Sequence, residues 1–239
     1  MKLFCALSFL LVIQVLLNGC GKGGSPVITN NAKSRATEPS ATANALPDRL
    51  SLSQATAAVC QEIFRLTPDM NASADFPLKE LTTSDVWDRL HVQVFAVTSG
   101  VCQDEAFIIR DGRAFLLGTS FGGSGVMSMC VADLNGDGQP KLIFSYSWGS
   151  GVHRSLVALW MGGASWVDAK PVLADYDLLV ERIDDQQVEV AYGEFSPDGH
   201  FRRDGNFGTL RLSGQAAKPV LEIVLNPHLD AKIQNRIWK

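Results

Sequence analysis

Beyond residue 90 the sequence predicts a mainly β domain of antiparallel sheets, and three features carry that expectation. Runs rich in β-branched and aromatic residues succeed one another at 91–97, 106–110, 113–117, 126–132, 142–147 and 155–161, then at 178–183, 188–192, 209–212 and 220–225. The links between them are turn-like, without the crossover helices that a parallel sheet needs. Between the runs at 106–110 and 113–117 stands Asp111-Gly112, a pair that supplies the positive φ of a tight hairpin. The expected arrangement is sandwich-like or a small propeller-like set of sheets, with an N-terminal helix packed on the core.

That helix starts after Ser51. Ser51 can cap it, and Gln54 stands three residues later to reach back. Leu52, Ala55, Val59 and Ile63 then share one face at helical spacing, with Cys60 and Phe64 beside it. Pro68 ends the helix, because the residue before a proline disfavours helical φ/ψ. Residues 69–82 read as loop. Residues 83–89 read as a short helical turn capped by Thr83 or Ser84. Gly162-Gly163 closes the run at 155–161, Asp184-Asp185-Gln186 turns between two strands, and Ser196-Pro197-Asp198-Gly199 fits a type I turn. Residues 231–238 read as a short terminal helix.

The first 19 residues have the layout of an export signal: Lys2, then an apolar run from Leu3 to Leu17, then small residues. That run is too short for a comfortable membrane span. Leu17-Asn18-Gly19-Cys20 resembles the bacterial lipoprotein processing box. The resemblance implies cleavage before Cys20, a lipid such as palmitate on the protein, and a place in the bacterial cell envelope facing an extracytoplasmic compartment. The alternative is ordinary secretion with Cys20 as a thiol. Residues 20–47 hold few large apolar side chains and read as a flexible tether behind the lipidated cysteine. As a random coil the tether reaches on the order of 30 Å. Residues 48–239 then form a single mainly β domain.

The formal net charge is −4, with acidic and basic residues mixed and no basic stripe, which argues against a nucleic-acid partner. Cys5 leaves with the signal. If Cys20 carries lipid, Cys60, Cys102 and Cys130 remain, in a compartment that permits disulfides. Cys102 and Cys130 lie near strands and are the favoured pair, with Cys60 buried in the helix; no Cys or His spacing suits zinc.

Asp133-Leu134-Asn135-Gly136-Asp137-Gly138 sets oxygen side chains at alternate positions, as a loop around a hard cation does. An EF-hand is excluded: its closing glutamate position holds Phe144, and a strand-like run follows in place of a helix. Residues 131–143 resemble the calcium loop of FG-GAP/VCBS-type repeats, the β-propeller blades of integrin-like and bacterial surface proteins. The resemblance implies Ca2+ held by side chains of Asp133, Asn135 and Asp137 and by the carbonyl of Gln139. Lys141 stands where the family has a carboxylate, so a weak site is expected. A metal-free hairpin is the other reading, since Asn-Gly and Asp-Gly are turn formers.

Tyr146, Trp148, His153 and Arg154 lie around a Gly/Ser-rich stretch that lets backbone approach a ligand, with flat apolar faces and donors close by. They form the candidate ligand-binding set; in the plainer reading, Trp148 plugs the core. Gly118-Thr119-Ser120-Phe121-Gly122 matches a serine-nucleophile pattern, but that motif requires a helix straight after it and a strand-like run follows. The sequence therefore favours a lipid-anchored envelope binding protein, with a protein or glycan as ligand, over an exported serine hydrolase using Ser120 or a purely structural lipoprotein.

Overall fold

The computed structural model describes residues 48–68, 77–99, 103–118, 120, 123–149, 153–196, 200–215 and 217–238. The signal-like segment, Cys20, the tether, Cys102 and the 197–199 turn lie outside the described residues. Helix α1 (Leu52–Leu66) opens on the expected capping box: the Ser51 hydroxyl accepts from the Gln54 backbone, and the Gln54 side chain accepts from the Ser51 backbone. Its buried face holds Ala55, Val59 and Ile63, while Leu52 is exposed. Helix α2 (Ser84–Leu90) is capped by Thr83.

Three antiparallel sheets follow. The first runs in the order β1 (Leu78–Glu80), β2 (Gln93–Val97), β3 (Ala106–Arg110), β4 (Arg113–Leu117). The β3–β4 hairpin turns on Asp111 (φ 51°) and Gly112 (φ 74°), the left-handed pair that its sequence predicts. The central sheet contains β5 (Gly125–Ala132), β6 (Lys141–Trp148), β7 (Arg154–Gly162), β8 (Ser165–Asp168), β9 (Val172–Ala174) and β14 (Ile237–Trp238). The third is β10 (Asp177–Arg182), β11 (Val188–Phe195), β12 (Phe201–Gln215) and β13 (Lys218–Leu225), in that order.

The central sheet is covered on both faces. Along β6, Ile143 faces a core shared with Leu178, Val190 and Phe207 of the third sheet. Its neighbour Phe144 faces a second core shared with Val94, Ile108 and Leu117 of the first. Alternate side chains of one strand therefore feed two cores, and β6 reads as an unbroken buried run from Leu142 to Ser147. The result is sandwich-like, with α1 packed on β3 and β4.

Serine hydroxyls tie the layers together. Ser128 Oγ accepts the Val180 amide at 2.8 Å and Ser155 Oγ accepts the Leu178 amide at 2.9 Å, so two amides of β10, an edge strand, are satisfied from the central sheet.

One expectation is corrected. The terminal helix is only α3 (Ala231–Gln234); the chain then turns into β14, which pairs with β9 through Ile237–Leu173 and Trp238–Val172. The expected Cys102–Cys130 bridge has one partner outside the described residues; Cys130 itself is buried in the core between the central and third sheets, and burial, with the charge of Asp85 adding, pushes its thiol up to about 12.

Candidate functional site

The acidic loop joins β5 to β6 and is clamped at its entrance. Val131 donates its amide to Asp85 and accepts from Arg89 at 2.8 Å and from Arg182 at 3.3 Å. Arg89 also pairs with Asp185, and Arg182 with Asp85, each at 3.1 Å. The Asp133 amide then donates to the Asp185 carbonyl, seating the loop against the β10–β11 turn. Gly136 and Gly138 both have positive φ, and a Cβ on Gly136 would meet the Gln186 side chain at 2.7 Å.

Within the loop, each of the expected ligand residues other than Asn135 offers an oxygen already engaged by an internal donor. Asp133 accepts from the amides of Asp137 (3.1 Å) and Gly138 (2.8 Å). Asp137 accepts from the Asn135 side chain and from the Gln139 amide, each at 2.8 Å, and these bonds first, with the Lys141 charge adding, hold its carboxyl below the usual range. Lys141 Nζ donates to the Gln139 carbonyl at 3.1 Å and lies 3.4 Å from Asp137. The ammonium thus takes the two oxygens that the resemblance assigns to calcium at Asp137 and Gln139. The donor set fits a divalent ion only if Lys141 is displaced. Among the described residues, no group of three or more His, Cys, Asp or Glu converges on a point.

The candidate ligand set divides. Tyr146 is 4 % exposed, stacks near Phe144 and donates its hydroxyl to Asp168 at 2.9 Å, so its ring belongs to the core. His153 and Arg154 are consecutive, Arg154 opening β7 and His153 preceding it, and they meet different partners. His153 Nε2 lies 2.8 Å from Asp177 at the start of β10. The hydrogen bond to Asp177 raises the His153 pKa, burial opposes the rise, and the Asp177 and Asp175 charges add to it, so the imidazolium is favoured.

Arg154 stands with Trp148, its cross-strand partner on β6. The guanidinium carbon lies 5.1 Å from the Trp148 ring centre and 4.3 Å from that of Trp238. The arginine thus contacts two indoles, contributed by β6 and β14 on either side of β7 and β9. Trp238 is 49 % exposed. Nε of Arg154 is enclosed and has no hydrogen-bond partner. Sequence reasoning finds Trp148 and Arg154 but misses Trp238, which reaches them only because the chain end pairs with β9.

Ser120 is buried and is held by acceptors: its hydroxyl bonds to the Gln103 carbonyl and the Glu105 carboxylate, both at 3.3 Å. No histidine is among these partners. The strand β5 begins at Gly125, where a nucleophile elbow would begin a helix.

The chain matches no family model, curated protein or solved structure in comparisons with known proteins.

Proposed function

We propose that this protein is a lipid-anchored binding module of the bacterial cell envelope, whose ligand engages the Trp148–Arg154–Trp238 cluster at one end of the central sheet. The observation that carries the binding half is the stacked, otherwise unpaired Arg154 beside a half-exposed tryptophan. Aromatic and arginine side chains held on a strand scaffold are what recognition surfaces use most, because they combine large contact area with few freely rotating bonds. The anchoring half rests on Leu17-Asn18-Gly19-Cys20. In this reading the acidic loop is a structural corner with Lys141 as its built-in cation, and calcium is a weak competitor in the ~10⁻⁴ to 10⁻³ M range of extracellular modules.

Two measurements test the two halves separately. Mass spectrometry of the mature N-terminus is expected to find an acylated Cys20, and Cys20→Ser to release the protein from membranes. A soluble mature chain that begins elsewhere sinks the anchoring half. For binding, a glycan and peptide screen followed by NMR mapping is expected to shift the indole N–H signals of Trp148 and Trp238 together. Hits that map elsewhere on the domain overturn the assignment of the site.

A further inference from the structure

Taking the binding site as read above, we infer that its ligand presents a carboxylate, to which the terminal Nη pair of Arg154 donates in the plane of the guanidinium.

A guanidinium has two faces and an edge. The Arg154 guanidinium carbon lies 5.1 Å from the Trp148 ring centre and 4.3 Å from that of Trp238. Cation–π contact with two rings holds the group in place and leaves its N–H donors for hydrogen bonding. Along that edge Nε is enclosed and unpartnered. Of the Arg154 nitrogens only Nε is both enclosed and unpartnered among the described residues, so the Nη pair are the donors left for a ligand. Two parallel N–H groups in a fixed plane match the two oxygens of a carboxylate, and such a charge-assisted fork is among the stronger polar contacts available at a surface.

The neighbouring charges leave this one uncompensated. Asp175 follows Ala174, the register partner of Arg154 on β9, and its carboxylate is held by Arg236. Asp177 is held by His153 at 2.8 Å. The nearby acids thus serve other cations, whereas the contacts of the Arg154 guanidinium among the described residues are with the Trp148 and Trp238 rings. Trp238, half-exposed, offers an apolar surface beside the fork, so the carboxylate is expected to be attached to a group that can lie against an indole, such as a sugar ring or a peptide side chain.

The experiment uses the folded domain from residue 48 onward, which forms one compact unit, and follows tryptophan fluorescence and the Arg154 Nε–Hε NMR signal. The probes are sodium glucuronate and N-acetylglutamate, each against its methyl ester. Saturable binding of one acid, weakened at least tenfold by esterification and by Arg154→Lys but unchanged by Arg113→Lys, supports the inference. Arg113 is a suitable control because it stacks on a single ring, that of Phe115. Which acid binds distinguishes an acidic glycan from an acidic peptide. Equal binding of acid and ester, equal binding by the Arg154→Lys protein, or no response to either acid overturns it. Should Arg154→Lys fail to fold, the ester comparison on the wild type decides alone. If both acids fail while the ligand screen still yields neutral molecules that shift Trp148 and Trp238, the carboxylate is wrong and the binding site stands.

Discussion

At the scale of residues, the Lys141 ammonium lies 3.1 Å from the Gln139 carbonyl and 3.4 Å from Asp137, where a calcium ion would need those oxygens. Calcium affinity follows the charge its ligands supply, so an internal lysine lowers it twice, by occupying the oxygens and by cancelling a charge. Lys141→Asp is expected to tighten calcium binding by about tenfold or more over a weak or undetectable wild-type level. Calorimetric titration checks this, and equal affinities in the two proteins would falsify the competition. A second residue sets a pH dependence. The folded-state pKa of His153 is raised above its ordinary value of 6.5 by Asp177. Its contribution to stability is therefore fully present below that ordinary value and is lost as pH rises through the raised one. Wild type is expected to melt at a higher temperature than His153→Gln at pH 5.5, with the gap closing by pH 9. A gap that grows with pH contradicts the pairing.

At the scale of elements, local chemistry decides the well-formed pieces. The capping box at Ser51 and Gln54 satisfies backbone groups at the start of α1 without help from the rest of the fold. Ser51→Ala is expected to cost about 1 kcal/mol of stability, read as a lower denaturant midpoint at unchanged slope. No change in midpoint would mean that α1 is held by packing alone. The same locality makes the Asp111-Gly112 hairpin legible. It fails for β12 and β14. Residues 202–204 are exposed and charged, with Arg202 paired to Glu194 and Asp204, and Arg203 to Glu181 and Glu189, so the first half of β12 carries a polar face that hides it as a strand. β14 has two residues and exists only because β9 offers it an edge.

At the scale of the whole molecule, the arrangement depends on β5, β6 and β7 lying between two other sheets. Phe144 is fully buried and contacts the first-sheet core, while its neighbours Ile143 and Ser145 face the other side. Phe144→Ala is expected to cost about 3–5 kcal/mol, since the cavity would lie between two sheets that cannot both collapse into it. Chemical denaturation measures the loss, and a cost below about 1 kcal/mol would contradict tight packing at that position. Among the described residues no helix is long and apolar enough to cross a membrane.

By itself the sequence determined what depends on neighbours in the chain: the capped helix, the tight hairpin, the mainly β character from residue 90 onward and the turn-forming acidic loop. Each follows from φ/ψ preferences or hydrogen bonds spanning a few residues. Only the tertiary structure decided which partners meet across long separations. It sent His153 to Asp177 and Arg154 to Trp148 and Trp238, although both stand in one suggestive stretch. It put Tyr146 in the core and turned Lys141 onto the loop's own oxygens. It brought Trp238 from the end of the chain to Arg154, a contact between residues 84 positions apart in number. A pairing of that kind leaves no local trace, because its free energy comes from the edge of β9 and a cation–π contact with Arg154, neither of which exists until the sheets have assembled.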